Sequence, residues 1–190
     1  MAKESLAERL RRLSSADPTE RTWALRPEIL LHPNIPKPLH EVAPRNILGA
    51  SWWNKTRREA YRSTDYHCVA CGVHKSVAKY RNWLEGHEVY RIDYLMGRAE
   101  YIETVPLCHF CHNYIHDGRL RWLLDTGKLH HGKYTQIIQH GDEVLRRFNL
   151  VHPEPYSGPF AEWADWRLVL FDKEYPPKYK TFEEWAAFNA

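Results

Sequence analysis

The residues of this 190-residue chain most able to do chemistry are four cysteines in two identical short spacings. They form the pairs Cys68/Cys71 and Cys108/Cys111, separated by 36 residues, and the chain contains no other cysteine. Two Cys-x-x-Cys pairs supply four thiolates, a ligand set that tetrahedral Zn²⁺ prefers in structural sites. The spacing therefore predicts one structural zinc ion held by all four sulfur atoms.

Histidines beside the cysteines form a second set of candidate ligands. His112 and His116 are four residues apart in a predicted helix, so both imidazoles would project from one face and can share one metal ion. His87 lies on the first strand of a predicted hairpin that leads back to Cys108. The zinc ion would clamp this hairpin to the helix and hold His87 against the helical pair. We expect a strand–strand–helix cradle for a second metal ion.

Hydrophobic patterning predicts the elements that position these ligands. Apolar–polar alternation on both sides of a turn at 95–97 predicts a β-hairpin over 83–93 and 99–105. Five prolines between Arg26 and Pro44 predict an extended arm laid over the core. Residues 166–171 are typical of a strand. Helices are expected at 4–13, 52–62, 111–116, 120–124, 134–148 (with Gly141 as a weak point) and from Thr181, where Thr181 and Glu184 fit a capping box.

The composition is that of an ordinary globular protein. Hydrophobic residues make up 43% and charged residues 27%, and the net charge of +3 is too small to specify a polyanionic partner by itself. The first residues lack the apolar stretch of a signal peptide, and no apolar run approaches the ~20 residues of a membrane helix. We therefore predict no membrane partner and a reducing, cytoplasmic location, where paired cysteines bind metal.

The cysteine and histidine segments resemble the HNH nucleases, also called the ββα-metal or His-Me finger family. The resemblance is carried by C-V-A-C (68–71), L-E-G-H-E (84–88) and V-P-L-C-H-F-C-H-N-Y-I-H (105–116), within about a quarter of the chain. It is closest to the phage and bacterial type with two Cys-x-x-Cys knuckles. A weaker likeness extends to the upstream segment W-W-N-K-T-R-R-E-A-Y-R (52–62).

The resemblance implies an α+β fold: a small ββα-metal core with structural zinc, wrapped by N- and C-terminal helical and irregular extensions. We expect an N-terminal helix and Pro-rich arm over 1–50, the HNH core over 51–126, and a helical, Trp-rich extension over 127–190, packed as one domain. The implied activity is hydrolysis of DNA, double-stranded DNA being favoured, with one catalytic divalent metal: Mg²⁺, Mn²⁺, Ni²⁺ or Zn²⁺. The implied setting is a bacterial host cell, with a bacterial or phage gene as the source.

The family pattern assigns His112 and His116 as ligands of the catalytic metal, whereas His87 fits two registers. In an ungapped register, His87 is the third ligand and Glu88 stands in the place of the usual base histidine. A glutamate is the weaker base, because its unperturbed pKa is only ~4.3. In the other register His87 is the base, and Glu85 or Glu88 substitutes as a ligand.

Two departures from the family pattern support an alternative function. Glu103 stands where the family has an asparagine, and Glu88 replaces the base histidine. The alternative is a catalytically inactive HNH scaffold that binds nucleic acid or, through its Trp-rich flanks, a protein partner or a second copy of itself.

Charged and imidazole side chains near the motif complete the sequence predictions. Glu85 is expected to be structural or solvent-facing, His109 is expected to be exposed, and His140 has no predicted role. Basic residues near the motif are candidate phosphate contacts, because Arg and Lys neutralise backbone charge: Lys55, Arg57, Arg58, Arg62, Lys75, Lys79 and Arg81.

Overall fold

The computed structural model describes residues 22–79 and 82–188 and has a mixed α+β fold. The helix predicted over 4–13 and the candidate phosphate contact Arg81 lie outside the described residues. Over the part of the chain that is described, five α-helices accompany one four-stranded sheet. None of these helices is both long enough and apolar enough to span a lipid bilayer.

The sheet is built on the predicted hairpin. Strands β1 (Leu84–Asp93) and β2 (Arg98–Cys108) are neighbours, followed by β3 (Arg167–Leu170) and β4 (Lys173–Tyr175) in the order β1-β2-β3-β4. Strand β2 pairs in parallel with β3, and β3 pairs antiparallel with β4. The sequence prediction ended the second strand at residue 105, but β2 continues to Cys108 and so delivers the second cysteine pair directly to a helix.

The α-helices are α1 (Pro44–Ser63), α2 (His109–Ile115), α3 (Asp117–Asp125), α4 (His131–Arg147) and α5 (Phe182–Phe188). Helix α1 is interrupted at Gly49, whose φ of 81° is outside the helical region. The break between α2 and α3 falls at His116, with φ −87° and ψ 48°. Each predicted helix within the described residues is present, with shifted ends.

The proline-rich arm is not simply extended, which corrects the sequence prediction. It forms two 3-10 helices, Pro27–Leu31 and Lys37–Leu39, each with a proline in its first turn. Proline lacks an N–H and has a fixed φ, so it fits the start of a helix well. The turns bury Ile29, Leu30 and Leu39, and this apolar burial explains why the arm coils here.

Contacts group the described residues into two compact units. The first comprises 22–32, Arg57–His87 and Val105–His152, and it holds every cysteine and histidine of the predicted metal sites. Within it, α2 packs against α4 and against the 3-10 helix Pro27–Leu31. Gly141 allows the α2–α4 contact, because a Cβ atom there would lie 2.1 Å from the ring of Tyr114. The expected weak point of α4 is thus where α4 approaches α2.

The second unit comprises Pro33–Thr56, Glu88–Thr104 and 153–188. Its buried core consists of Leu39, Val42, Ala99, Trp166 and Leu168. The predicted cap of α5 is present: the Glu184 N–H donates to Thr181 Oγ1 at 3.3 Å. Trp166 and Leu168 show that the Trp-rich flank contributes to this core, together with residues of the N-terminal segment and of β2.

Candidate metal centres

The four cysteines converge on one point in the first unit. Their sulfur atoms all lie within 4.8 Å of one another, and all four cysteines are free thiols. The first pair sits in a tight turn, where the Gly72 N–H donates to the Cys68 carbonyl at 2.9 Å and Gly72 adopts a φ of 78°. The second pair spans the junction of β2 and α2. The predicted juxtaposition of two distant cysteine pairs is therefore present.

The geometry and electrostatics of this cluster suit a tetrahedral metal ion. Cys71 Sγ and Cys108 Sγ are 3.8 Å apart, close to the ~3.8 Å that Zn–S bonds of ~2.3 Å set in a tetrahedron. Hydrogen bonding to Cys108, together with burial, raises the pKa of the Cys111 thiol. Four thiolates cannot occupy this volume without a cation among them. The cluster can therefore hold a metal ion such as Zn²⁺.

A histidine that the sequence did not single out supports this sulfur cluster. His140 on α4 lies with Nε2 3.4 Å from Cys111 Sγ, in hydrogen-bonding range of a thiolate. Its ring also meets the Phe110 ring edge-on, with centroids 5.5 Å apart. Outer groups of this kind orient metal ligands and moderate their charge. No sequence signal separates His140 from the chain's other histidines, because the contact depends on how α4 packs.

Three histidines form a second cluster in the same unit. Ring nitrogens of His87, His112 and His116 all lie within 4.8 Å of one another. The ring centroids are 5.6 Å apart for His87–His112, 5.2 Å for His87–His116 and 4.7 Å for His112–His116. His87 comes from β1, His112 from α2 and His116 from the residue that ends α2. The structure thus brings together the three imidazoles expected at the second metal.

The environment of His87 keeps its imidazole available to a metal. The residue is only 4% exposed, and burial together with the charges of His112 and His116 lowers the pKa of His87 to about 2. A neutral imidazole is the form that binds metal ions. Three neutral nitrogen ligands fit a borderline divalent cation such as Zn²⁺, Ni²⁺ or Co²⁺.

Glu85 connects the imidazole cluster to its surroundings, a contact beyond the sequence expectation. Its two carboxylate oxygens each accept a 2.6 Å hydrogen bond, one from His109 Nδ1 and one from His112 Nδ1. Burial alone would raise the pKa of Glu85, but the two imidazole hydrogen bonds outweigh it and hold that pKa well below its usual range. The bond to Nδ1 of His112 leaves Nε2 of that ring for a metal.

His109 is half-buried and belongs to the same network. The amide nitrogen of Asn113, one turn along α2, lies 3.2 Å from His109 Nδ1 and donates to the His109 carbonyl at 2.8 Å. The side chains of His109 and Glu85 are 17% and 25% exposed. Both therefore act as supports around the cluster, and neither faces open solvent.

Glu88, the candidate base, belongs to the second unit. It is a buried carboxylate whose Oε1 lies 3.6 Å from Arg45 Nη1, an ion-pair distance beyond hydrogen-bond range. Successive side chains of a strand point to opposite faces, so Glu88 leaves β1 on the face opposite His87. The carboxylate is charge-compensated by Arg45 and keeps acceptor capacity on Oε1.

The described basic candidates differ in their accessibility. Arg58 and Arg62 are exposed on α1 and four residues apart, hence on one helical face, and Lys79 is also exposed. Arg57 is half-buried and hydrogen-bonds Tyr61. Lys75 is half-buried, with Nζ 3.8 Å from the centroid of the Tyr66 ring. Within the second unit, Lys55 is exposed.

Comparison of the chain with protein-family models gives no match, and neither curated proteins nor solved structures give one.

Proposed function

We propose that this protein is a metal-dependent endonuclease of the HNH type that hydrolyses phosphodiester bonds in DNA. The observation that carries the proposal is the convergence of His87, His112 and His116 from a strand and a following helix. The adjacent cysteine cluster joins the turn that carries the first cysteine pair to the junction of β2 and α2. Supporting features are the resemblance of the surrounding segments to HNH nucleases and the exposed arginines on α1.

The residues present fit a catalytic metal ion. Three imidazoles would hold it and leave positions open, as in catalytic sites with three protein ligands. A metal bound there would supply Lewis-acid stabilisation of charge on the scissile phosphate and the departing oxygen. Glu85 fixes the orientation of His112 through the 2.6 Å bond to Nδ1. Grouping His87 with the two helical histidines favours the register in which His87 is a ligand. Glu88 leaves β1 on the opposite face, which argues against it as the base of this cluster.

The second candidate function is a non-catalytic scaffold that binds nucleic acid. The observation in its favour is the side chain of Glu88, which stands in place of the family's base and is buried near Arg45. A carboxylate on the face of β1 opposite His87 is badly placed to take a proton from water at the imidazole cluster. Both candidates share the metal centres and the exposed arginines, so cleavage chemistry separates them.

A cleavage assay over a panel of metals tests the proposal. Purified protein is incubated with supercoiled plasmid and with single-stranded DNA in Mg²⁺, Mn²⁺, Ni²⁺ or Zn²⁺. We expect metal-dependent nicking that His87→Ala and His112→Ala each abolish. The matched control is His131→Ala, which removes an exposed histidine of α4 outside both clusters.

The remaining outcomes separate the alternatives. DNA binding at low salt without cleavage by any metal would reject the nuclease and favour the scaffold. Loss of affinity with rising salt would then report the number of phosphate contacts. Absence of DNA binding even at low salt would leave the Trp-rich protein-interaction hypothesis.

A further inference from the structure

A fourth histidine adjoins the imidazole cluster, although it is 55 residues away from His87 in sequence. The Nδ1 atom of His32 lies 3.3 Å from Nε2 of His87, and the two rings are nearly perpendicular, at 86°, with centroids 5.3 Å apart. His32 belongs to the same unit as the other three histidines. Its position in the proline-rich arm gave no sequence signal of a role in metal binding.

The backbone holds His32 in place. It directly follows the 3-10 helix Pro27–Leu31, and its N–H donates to the Ile29 carbonyl at 3.0 Å. Ile29 and Leu30 are buried, and the 3-10 helix packs against α2, the helix that carries His112. At the start of the segment, the Arg26 N–H donates to the Val69 carbonyl, inside the first cysteine pair, at 2.8 Å. The arm is therefore fixed to both parts of the metal-binding unit.

The spacing between the two imidazoles is compatible with a shared ion. Two nitrogen ligands at ~2.0–2.1 Å from a tetrahedral ion lie about 3.3–3.4 Å apart. The observed 3.3 Å between His32 Nδ1 and His87 Nε2 matches this value and is also within hydrogen-bonding range. His32 lies outside the trio whose nitrogens are mutually within 4.8 Å, so binding the same ion requires a side-chain rotation that draws its ring inward.

We propose that His32 is a fourth imidazole ligand of the centre formed by His87, His112 and His116. The inference rests on the metal centre of the proposed function but not on DNA cleavage. Four nitrogen ligands favour Zn²⁺, Co²⁺ or Ni²⁺ over the oxygen-seeking Mg²⁺. Four protein ligands also close a tetrahedral site. The resting centre is then closed, and a substrate phosphate gains access by displacing His32.

Co²⁺ binding to the full chain, with one equivalent of zinc kept in the cysteine cluster, tests the proposal. Calorimetry gives the affinity, and visible absorption reports the coordination number, because four-coordinate Co²⁺ absorbs much more strongly than higher-coordinate Co²⁺. We expect His32→Ala to weaken binding at least about tenfold and to lower the absorption intensity. Added imidazole should restore the intensity in His32→Gly. His131→Ala, an exposed histidine, should match the wild type.

The other outcomes overturn the inference. Unchanged affinity and spectrum in His32→Ala would show that His32 does not bind the ion. Weaker binding with a wild-type spectrum would make it a hydrogen-bonding neighbour only. His32→Gln, which keeps the side-chain bulk, with retained zinc content and circular dichroism, separates either result from misfolding. His112→Ala is measured in parallel. If it leaves Co²⁺ binding intact, the proposed imidazole metal centre is wrong. If the wild type binds Co²⁺ at this centre but does not cut DNA, only the nuclease proposal is wrong.

Discussion

The sulfur cluster and the imidazole cluster lie side by side but differ in almost every physical respect. Three cysteines of the sulfur cluster are buried (Cys68, Cys108 and Cys111), and Cys71 is half-buried. The cluster contains all four cysteines of the chain. In the imidazole cluster only His87 is buried, whereas His112 and His116 are partly open to solvent. One centre is built as an enclosed set of soft ligands and the other as a partly accessible set of borderline ligands.

The difference shows how one short helix serves two centres. Cys111 and His112 are consecutive in α2, and successive side chains of a helix are about 100° apart around its axis. Cys111 therefore turns towards the cysteine turn and α4, while His112 and His116 turn towards β1. A metal ion held by the four sulfurs would fix α2, and α2 would then present the imidazoles of the second cluster. The sulfur cluster should govern folding and the imidazole cluster should govern reactivity.

Loss of the sulfur site is expected to have the largest effect. Cys111→Ser removes one thiolate of a buried set of four, and binding free energies of structural zinc reach about 10–16 kcal/mol in small metal-dependent folds. We expect loss of the bound zinc, measured by elemental analysis, and collapse of the thermal unfolding transition of the first unit. His131→Ala should keep both. A Cys111→Ser protein that retains one zinc ion and the wild-type Tm would contradict the assignment.

The contact between α2 and α4 supports both centres, so disturbing it should lower the stability of the unit that contains them. A Cβ at position 141 would meet the Tyr114 ring at 2.1 Å, so Gly141→Ala is expected to destabilise the protein by about 1–3 kcal/mol through overpacking. The matched control is Gly118→Ala on α3, where an added Cβ meets nothing within 4 Å. That change should stabilise by up to about 1 kcal/mol, since alanine favours helix. Equal effects of the two substitutions in chemical denaturation would reject the contact.

Local patterns were enough to predict which cysteines and histidines cluster, and to predict the hairpin. Two Cys-x-x-Cys pairs and two histidines four residues apart mark candidate ligands without knowledge of the fold, and the alternation in β1 marks its strand. The supporting groups were not predictable in this way. Glu85 and His140 support the two clusters through neighbours 24 to 29 residues away in sequence, and His32 adjoins His87, which is 55 residues away.

The proline-rich arm shows a second limit of sequence patterns. Five prolines argue against regular helix and strand, which made an extended arm the natural prediction. Tertiary packing buries Ile29 and Leu30 in the first unit, which a local pattern does not reveal. The segment therefore forms a 3-10 helix with a proline at its start and is not extended. Strand β4 was missed for a related reason. It has only three residues, and its pairing with β3 supplies what its sequence pattern lacks.

The carboxylate of Glu85 bridges His109 and His112, and removing its charge should affect only the imidazole cluster. Glu85→Gln keeps the shape of the side chain but removes the charge that holds His109 and His112. We expect metal affinity at the imidazole centre to fall about 10–100-fold, the usual cost of losing such a support, with zinc content of the sulfur site unchanged. Glu143→Gln is the matched control, because it removes an exposed carboxylate that pairs with the neighbouring Arg146. If Glu85→Gln also lost zinc from the sulfur site, the two centres would not be independent of each other.

The same carboxylate predicts a pH dependence. The pKa of Glu85 is depressed in the folded protein, so its contribution to stability is present above its ordinary pKa of 4.5 and is lost as the pH falls below that value. Without metal at the imidazole centre, the free energy of unfolding of the wild type should fall more steeply below pH 4.5 than that of Glu85→Gln. If the free energy of unfolding of the two proteins fell in parallel below pH 4.5, the hydrogen bonds of Glu85 would not contribute to stability.

The smallest effect is expected at the sulfur cluster's own support. His140→Leu removes the group 3.4 Å from Cys111 Sγ while keeping an apolar side chain against Phe110. The net contribution of one such hydrogen bond is about 1 kcal/mol, so zinc should remain bound but leave about fivefold faster to a chelator. His131→Leu on the exposed side of α4 should release zinc at the wild-type rate. Because the contacts of His140 are with Cys111 and Phe110 and not with the imidazole cluster, Co²⁺ affinity at the imidazole centre should not change. A change there would show that the two centres are coupled through α2.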